Sequence, residues 1–485
     1  MNLKNIKKVH FIGIGGSGVS ALCRWFLLAG RSLGEGGYFG NQISGSDVAD
    51  SEIISELKKL GAKIFIGHRE SNLDDAADLA VYSSAIPEDN PELKKADRLK
   101  IKALSYPETL GEIMNNYSES IAVSGTHGKT TTTAVLGLIL EKAGFNPTVI
   151  VGSVVREWDA NARIGKSDYF LSEACEYRRA MLNLNPKMIV LTNIEKDHLD
   201  YFKNLEDIKS AFREYVGKLP ADGLLVFNQD DPVSNELAKH HQGKKISYTL
   251  NKRLTMSFDE TSPSYIQTSE LRAENIIQLA GKQLFDLVWR GENLGQFQIF
   301  IPGIFNISNC LAASALALEL GVAPEIIKKA LADFRGVWRR FEKVGEINGA
   351  VIISDYAHHP TAAREIIKAA KQFYPGKKIL AVFQPHQEDR TKKLFDEFVQ
   401  SFNSADAVIM SEIYFVAGRT EKQKMISSFD LVEAIKKTGY SPIFYAKNLE
   451  ETKKMIIAKL KNFDIILIMG AGDIFKVSLE LSKSQ

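Results

Sequence analysis

Three times in this chain an apolar stretch of strand length runs into a turn and then into a helix. The sites are VHFIGIGGSGVSAL near the start, SIAVSGTHGKTTTTAVLGLIL from residue 120, and AVIISDYAHHPTAAREIIKAA from residue 350. Strand and helix in alternation argue sheets that are mostly parallel and covered by helices, hence an α/β fold. At 485 residues the chain exceeds what one hydrophobic core organises, and three such starts predict three domains, with boundaries near 115 and 334.

The first unit reads as strand VHFIGIG, helix GVSALCRWFLLAG, strand NQISGSD ending at Asp47, helix IISELKKLG, strands AKIFIG and DLAVYSS, then the turn AIPEDNPEL. Between helix and second strand, RSLGEGGYFG (31–40) predicts an exposed, adaptable loop. The second unit opens with a strand, a phosphate-type turn and an amphipathic helix, and continues with strands YFLSE, MIVLTNI and GLLVFNQDD. From 246 to 302 the pieces ISYTL, SYIQT, FDLVWRG and GQFQIFIPG predict an antiparallel portion of sheet, followed by an alanine-rich helix over 309–321. The third unit adds the helix TAAREIIKAAKQF and strands in KKILAVFQPH, AVIMSEIY and FDIILIMGAGDI.

Lys and Arg total 61 against 59 Asp and Glu, so a formal charge of +2 gives no general reason to hold nucleic acid or an anionic membrane. No apolar run approaches the ~20 residues of a bilayer span, and the glycine-rich start does not read as a signal peptide. The reading is a cytoplasmic protein without membrane insertion. Cys23, Cys175 and Cys310 are too few and too scattered for a disulfide framework; Cys175, between acids in SEACE, sits where a thiolate is disfavoured.

Two loops predict phosphate binding. In GIGGSG, Gly13, Gly15, Gly16 and Gly18 follow a strand and open a helix, so backbone amides can approach a pyrophosphate, whether of a dinucleotide or of a nucleotide sugar. In GTHGKTTTT, Gly125 and Gly128 shape the turn that also holds Thr126, His127 and Thr131. Lys129 offers a charge to the outer phosphates of a nucleoside triphosphate, and the Thr130 hydroxyl is placed for Mg2+. Val123 stands where the strict Walker pattern has its first glycine. Parallel strands end on one edge, so Glu173 and His198 are expected to meet Thr130 around a metal with oxygen and imidazole ligands. No compact Cys/His cluster suggests zinc. The third unit contributes Asp355, His358, His359, His386 and Arg390 at strand ends, and Arg335, Arg339 and Arg340 predict a positive rim at the domain junction.

In order along the chain, HFIGIGGSGVSAL, SGTHGKTTTT, EACEYRR, TNIEKDHLD, PGIFNISNCLAA, FRGVWRRFE, SDYAHHPT, FQPHQEDRT and MGAGDI resemble the Mur ligase family of peptidoglycan assembly over nearly the full length, and within it the branch that adds L-alanine. The resemblance implies a Rossmann-like UDP-sugar domain (1–115), a central P-loop ATPase-like domain (116–334) and a C-terminal Rossmann-like domain (335–485) closing over the substrates. It implies that ATP phosphorylates the lactyl carboxylate of UDP-N-acetylmuramate and that L-alanine attacks the acyl phosphate. By the same resemblance Gly15, Gly16, Ser17 and Gly18 hold the UDP moiety, Lys129 and Thr130 bind ATP and magnesium, and Glu173 and His198 are metal ligands. Asn306 and Asn309 border the adenine, Asp355 lies near the ribose, and His359, His386 and Arg390 face the substrates. His358 and His359 are candidates for taking the amine proton. The oligomeric state is left open.

Departures are visible. Loop 31–40 is longer than the usual link, Cys175 stands in place of an aspartate, and Gln387 stands where an arginine is common. Sister ligases carry a carbamylated lysine, where this chain has Arg213 with Lys209 one turn earlier. The neighbouring readings are a ligase that recycles a tripeptide onto the same sugar nucleotide, and a regulatory protein that binds ATP and UDP-sugar without ligation.

Overall fold

The computed structural model describes residues 3–32, 42–250, 269–415 and 426–483. The expected loop 31–40 and the strand piece SYIQT fall almost wholly outside them. Three sheets organise the chain.

The first holds β1 (Lys8–Ile12), β2 (Gln42–Asp47), β3 (Lys63–Ile66), β4 (Leu79–Tyr82) and β5 (Lys102–Ser105) in the order β3-β2-β1-β4-β5, all parallel. Helix α1 (Ser17–Ser32) starts at the C-terminal end of β1, where strand order reverses, so the glycine loop occupies the crevice in which such sheets bind ligands. The stretch AIPEDNPEL is a turn through Asn90, and its last three residues start a helix. Asn90 caps α3 (Pro91–Arg98) through its side chain, and α4 (Tyr106–Met114) follows β5.

The central sheet has ten strands in the order β15-β14-β13-β12-β11-β10-β6-β9-β7-β8. They are β6 (Glu119–Ser124), β7 (Thr148–Val155), β8 (Ala160–Arg163), β9 (Tyr169–Ala174), β10 (Met188–Leu191), β11 (Leu224–Asn228), β12 (Lys244–Thr249), β13 (Leu271–Leu279), β14 (Lys282–Trp289) and β15 (Glu292–Ile299). ISYTL does not belong to the antiparallel portion: β12 pairs parallel with both β11 and β13, and antiparallel pairing begins between β13 and β14. A hairpin-like β7–β8 pair, unread in the sequence, closes the opposite edge.

Helix α5 (Lys129–Lys142) is not amphipathic, because every residue from Thr130 to Leu140 is buried. Its core packs with α8 (Ile304–Glu319) and α9 (Pro324–Asp333) as well as with the sheet, so no face is left for solvent. Between β10 and β11 lies α6 (Leu205–Val216), and between β11 and β12 lies α7 (Pro232–Ala238).

The third sheet runs β16-β17-β21-β18-β19-β20: β16 (Glu342–Ile347), β17 (Ala350–Asp355), β18 (Ile379–Phe383), β19 (Ala407–Ser411), β20 (Ile443–Ala446) and β21 (Ile465–Met469). Only β16 is antiparallel among these pairings. Asp355 pairs with Met469 and Phe383 pairs with Met469, so the segments after β17, β18 and β21 leave the sheet at one edge. Helices α10 (Pro360–Phe373) and α11 (Glu388–Lys393) begin from that edge, which faces the central domain.

Candidate active site

Register explains why residues far apart in sequence meet. β6 lies between β9 and β10, with Val123 opposite Glu173 and Ser124 opposite both Ala174 and Leu191. Glu173 and the segment 192–198 therefore leave the sheet beside the loop that β6 feeds into α5. Gly125 (φ 135°) and Gly128 (φ 85°) take backbone conformations that side chains resist. The second also has no room, since a Cβ there would stand 2.2 Å from Asn309 Oδ1. Asn309 donates to Asn306 Oδ1 at 3.0 Å and Asn306 to Pro302 O at 2.7 Å, so both asparagines support the loop from behind.

Within the loop, Lys129 curls back: its Nζ donates to the carbonyls of Gly125 and Thr126 and to Glu176 Oε2, the last at 2.8 Å. Burial works against this ammonium, but Glu176, Cys175 and Glu173 together raise its pKa. Thr130 donates to Glu173 Oε2 at 3.0 Å, and Thr126 and His127 are tied to the 193–195 segment. Thr131 is buried behind them. Glu176 Oε1 is buried without a hydrogen-bond partner and lies 3.6 Å from His198 Nε2. Ligand atoms of Glu176, Asp197 and His198 lie within 4.8 Å of one another. Burial lowers the His198 pKa, leaving a neutral imidazole able to ligate a cation.

The third domain meets this cluster directly. Arg390 Nη2 donates to Asp197 Oδ1 at 2.9 Å, both side chains nearly closed to solvent. Burial alone would raise the Asp197 carboxyl; Arg390 and His198 hold it well below the usual range. His127 Nε2 lies 2.5 Å from Glu195 Oε1, and Thr361 donates to the other Glu195 oxygen at 3.3 Å. His359 caps α10: Nδ1 accepts the Thr361 amide, so Nε2 carries the hydrogen it directs at Lys196 O, 3.1 Å away. His358 Nδ1 faces Tyr356 O at 3.0 Å. His386 stacks on Tyr414, with its Nδ1 3.4 Å from Arg390 Nη1. A small open hollow is lined by Asp197, His198 and Arg390.

Other expected residues sit differently. Both Asp355 oxygens accept backbone amides, of Phe341 and Ala357 at 2.7 Å each, and burial raises its pKa. Arg339 does not join a positive rim. It is buried, stacks near Trp338, Tyr356 and Phe475, and donates to the carbonyls of Gly470 and Gly472 in the segment after β21. Lys209 pairs with Glu206 and Glu236, an environment that favours an ammonium. Cys175 is open to solvent, beside the acids Glu173 and Glu176.

The glycine loop is a separate region. Gly15 donates to Asp47 Oδ2 at 2.8 Å, and Gly16 to Gly13 O at 3.2 Å. A Cβ on Gly18 would enter the Tyr106 ring at 2.7 Å, so only glycine lets that ring cover the helix start. Ser17 O accepts from Asn161 Nδ2 at 2.6 Å, which fixes the loop to the central domain. Glu195 and Asp197 carry no working role in the sequence reading, and Glu176 stands there only as the acid three residues after Glu173. Each is one acid among several in EACE or NIEKDHLD, and only the register distinguishes it.

Burial lowers the pKa values of His358 and His359. An imidazole whose folded pKa lies below its unfolded value, ~6.5, binds protons less readily when folded, so stability rises with pH and is lost as pH falls below that value. His358→Gln and His359→Gln should each flatten the decline in thermal midpoint between pH 7 and 5; an unchanged slope counts against these burial assignments.

No helix of the described residues is long and apolar enough to cross a membrane. Sequence profiles match almost the whole chain in three parts: "Mur ligase family, catalytic domain" over 8–118, "Mur ligase middle domain" over 123–317, and "Mur ligase, glutamate ligase domain" over 339–472. A UDP-N-acetylmuramate–L-alanine ligase of Caldanaerobacter subterraneus is 38% identical over 98% of this chain and 97% of its own. One of Aquifex aeolicus is 38% identical over 99% and 98%. The crystal structure of a UDP-N-acetylmuramate-alanine ligase from Thermotoga maritima superposes with a TM-score of 0.79 at 26% identity, covering 98% of both chains. That of a murein peptide ligase from Psychrobacter arcticus shares the fold, with a TM-score of 0.70 at 24% identity over 98% of both. With three sheets in this arrangement and relatives matching end to end, the chain belongs to the Mur ligase family.

Proposed function

We propose that this protein is an ATP-dependent ligase that joins L-alanine to the lactyl carboxylate of UDP-N-acetylmuramate, releasing ADP and phosphate. The observation that carries the reading is the cluster of Lys129, Thr130, Glu173, Glu176, Asp197 and His198 in the central domain, met by Arg390 of the third domain at Asp197. Residues 1–115 hold the UDP-sugar through Gly15, Gly16, Ser17 and Gly18, residues 116–334 hold ATP, and residues 335–485 close over both. Asn306, Asn309 and Asp355 border the nucleotide.

A divalent cation fits the donor set. Ligand atoms of Glu176, Asp197 and His198 lie within 4.8 Å of one another, Glu176 Oε1 is a buried carboxylate oxygen still lacking a hydrogen bond, and Thr130 and Glu173, 3.0 Å apart, offer further oxygens beside Lys129. Mg2+ held there supplies charge compensation for the phosphates. A carboxylate oxygen attacks the γ-phosphorus as the bond to ADP breaks. The alanine nitrogen then attacks the acyl carbon, phosphate leaves with the C–O electrons, and the amine loses a proton. Lys129 exchanges Glu176 for the phosphates and stabilises the transferring group. His386 and Arg390 face the carboxylate of the incoming L-alanine, and closure of the third domain keeps water from the acyl phosphate. Both ring nitrogens of His359 are engaged, so the proton goes to His358, whose Nδ1–H points at Tyr356 O and leaves Nε2 as a base.

The test is phosphate release with ATP, UDP-N-acetylmuramate and each amino acid in turn. Release that requires the sugar nucleotide and is strongest with L-alanine is expected. Release that ignores both co-substrates, or that needs a tripeptide in place of alanine, overturns the reading.

A further inference from the structure

Several guanidinium groups near the seam are committed to protein partners. Arg390 is held by Asp197, Arg339 by two carbonyls, and Arg179 by Asp207 and Glu214 at 3.0 Å each. Arg178 differs. Among the described residues its side chain has no hydrogen-bond or ion-pair partner, and its guanidinium lies over the Tyr177 ring, 5.6 Å from the centroid. That ring lies 4.6 Å from the His198 ring, tilted 35°, and its hydroxyl donates to Asp200 at 3.0 Å. Arg178, Tyr177 and His198 thus form a stack that begins at an exposed cation and ends on the imidazole beside Glu176 and Lys129.

The backbone holds Arg178 in this position. Arg178 (φ 51°, ψ 29°) and Arg179 (φ 56°, ψ 25°) are consecutive left-handed residues, a conformation that non-glycine residues keep only when their surroundings impose it. The imposing contacts are the Arg179 amide on Glu176 O at 2.9 Å and the two carboxylates on its side chain. The same segment presses on the first domain, where a Cβ on Gly111 of α4 would stand 2.1 Å from Asn183 O. Arg178 therefore stands between the sugar-nucleotide domain and the phosphoryl-transfer centre.

We propose that Arg178 binds the carboxylate of the sugar nucleotide and orients it for phosphorylation; the identity of that ligand rests on the function proposed above. A guanidinium fork matches a carboxylate in two parallel hydrogen bonds. Lys129 must turn to the phosphates and Arg390 is bound to Asp197, whereas Arg178 takes an incoming anion without displacing a protein partner. Its place one aromatic ring away from His198, on the phosphoryl-transfer side, selects the carboxylate over the diphosphate of the same molecule.

Arg178→Gly removes the charge at a φ that glycine adopts freely, and Arg178→Lys returns a charge without the fork. The expected result for Arg178→Gly is a KM for UDP-N-acetylmuramate raised about 10- to 100-fold. The lysine variant recovers part of this, and KM for ATP and L-alanine stay within about two-fold. Affinity for UDP-N-acetylglucosamine, which lacks the lactyl carboxylate, is unchanged, and the thermal midpoint does not fall. An unchanged KM for UDP-N-acetylmuramate overturns the proposal, as does an equal weakening of UDP-N-acetylglucosamine or a shift confined to L-alanine. A wild-type protein inactive with all three substrates sinks the ligase reading instead.

Discussion

Lys129→Ala is expected to lower kcat on the order of 10³-fold while UDP-N-acetylmuramate binds as before. The lysine has one task with two partners in succession. In the empty loop its ammonium neutralises buried Glu176; under the proposed function it turns to the transferring phosphoryl oxygens in the loaded one. Alanine removes both interactions. It also strands Glu176, whose Oε1 already lacks a hydrogen bond, so stability falls by about 3 kcal/mol. Glu176→Gln added to Lys129→Ala should recover most of that stability and none of the turnover, which separates the structural effect from the chemical one. The readouts are ADP release, calorimetric binding of the sugar nucleotide, and thermal unfolding. Equal loss of binding and turnover would mean that the first and central domains do not divide the substrates as proposed.

The second large effect is expected at the domain seam. Arg390→Ala leaves the Asp197 carboxylate buried with its main counter-charge gone, costing about 3–5 kcal/mol, and it frees the third domain from the cation cluster, so kcat/KM falls about 10²- to 10³-fold. The pH dependence has a definite sign. In the wild type the Asp197 carboxyl is held well below its ordinary value, so the pair contributes stability above the unfolded pKa of ~3.9 and loses it only as pH falls through the lower folded value. Without Arg390, burial pushes the carboxyl up, the folded state binds a proton more readily than the unfolded, and stability falls as pH rises. The deficit of Arg390→Ala against wild type should therefore widen from pH 5 to 8 in denaturant titrations. A deficit constant across that range would show that the pair is not the buried electrostatic tie described here. Arg390→Lys should recover little activity, because a point charge cannot replace the planar fork that spans Asp197 and the His386 side.

Much of this protein is legible along the chain because its strongest signals are local. A buried strand, a glycine turn and a helix start lie within about fifteen residues of one another, so β1 with α1 and β6 with α5 follow from periodicity and glycine placement alone. Errors arise where a neighbour distant in sequence decides. The ISYTL strand alternates as an antiparallel one would, yet it lies parallel between β11 and β13. The α5 helix carries polar threonines, yet α8 and α9 cover the face that would have met water. Arg339 reads as surface charge, but is buried among aromatic rings and donates to carbonyl oxygens in the segment after β21.

From its order of residues alone, the chain determines its two glycine turns and the helix starts behind them, to which phosphate binding is proposed, since backbone amides at a glycine turn and a lysine at the head of a helix need only their own short segment. Which acids serve them is a matter of register and domain closure. Glu176 is distinguished from Glu173 by Lys129, Asp197 from Asp200 by Arg390, and Arg178 from Arg179 by the carboxylates on α6. Electrostatic interaction falls with distance and rises with burial, and neither quantity exists until strands from three sheets have been brought to one edge.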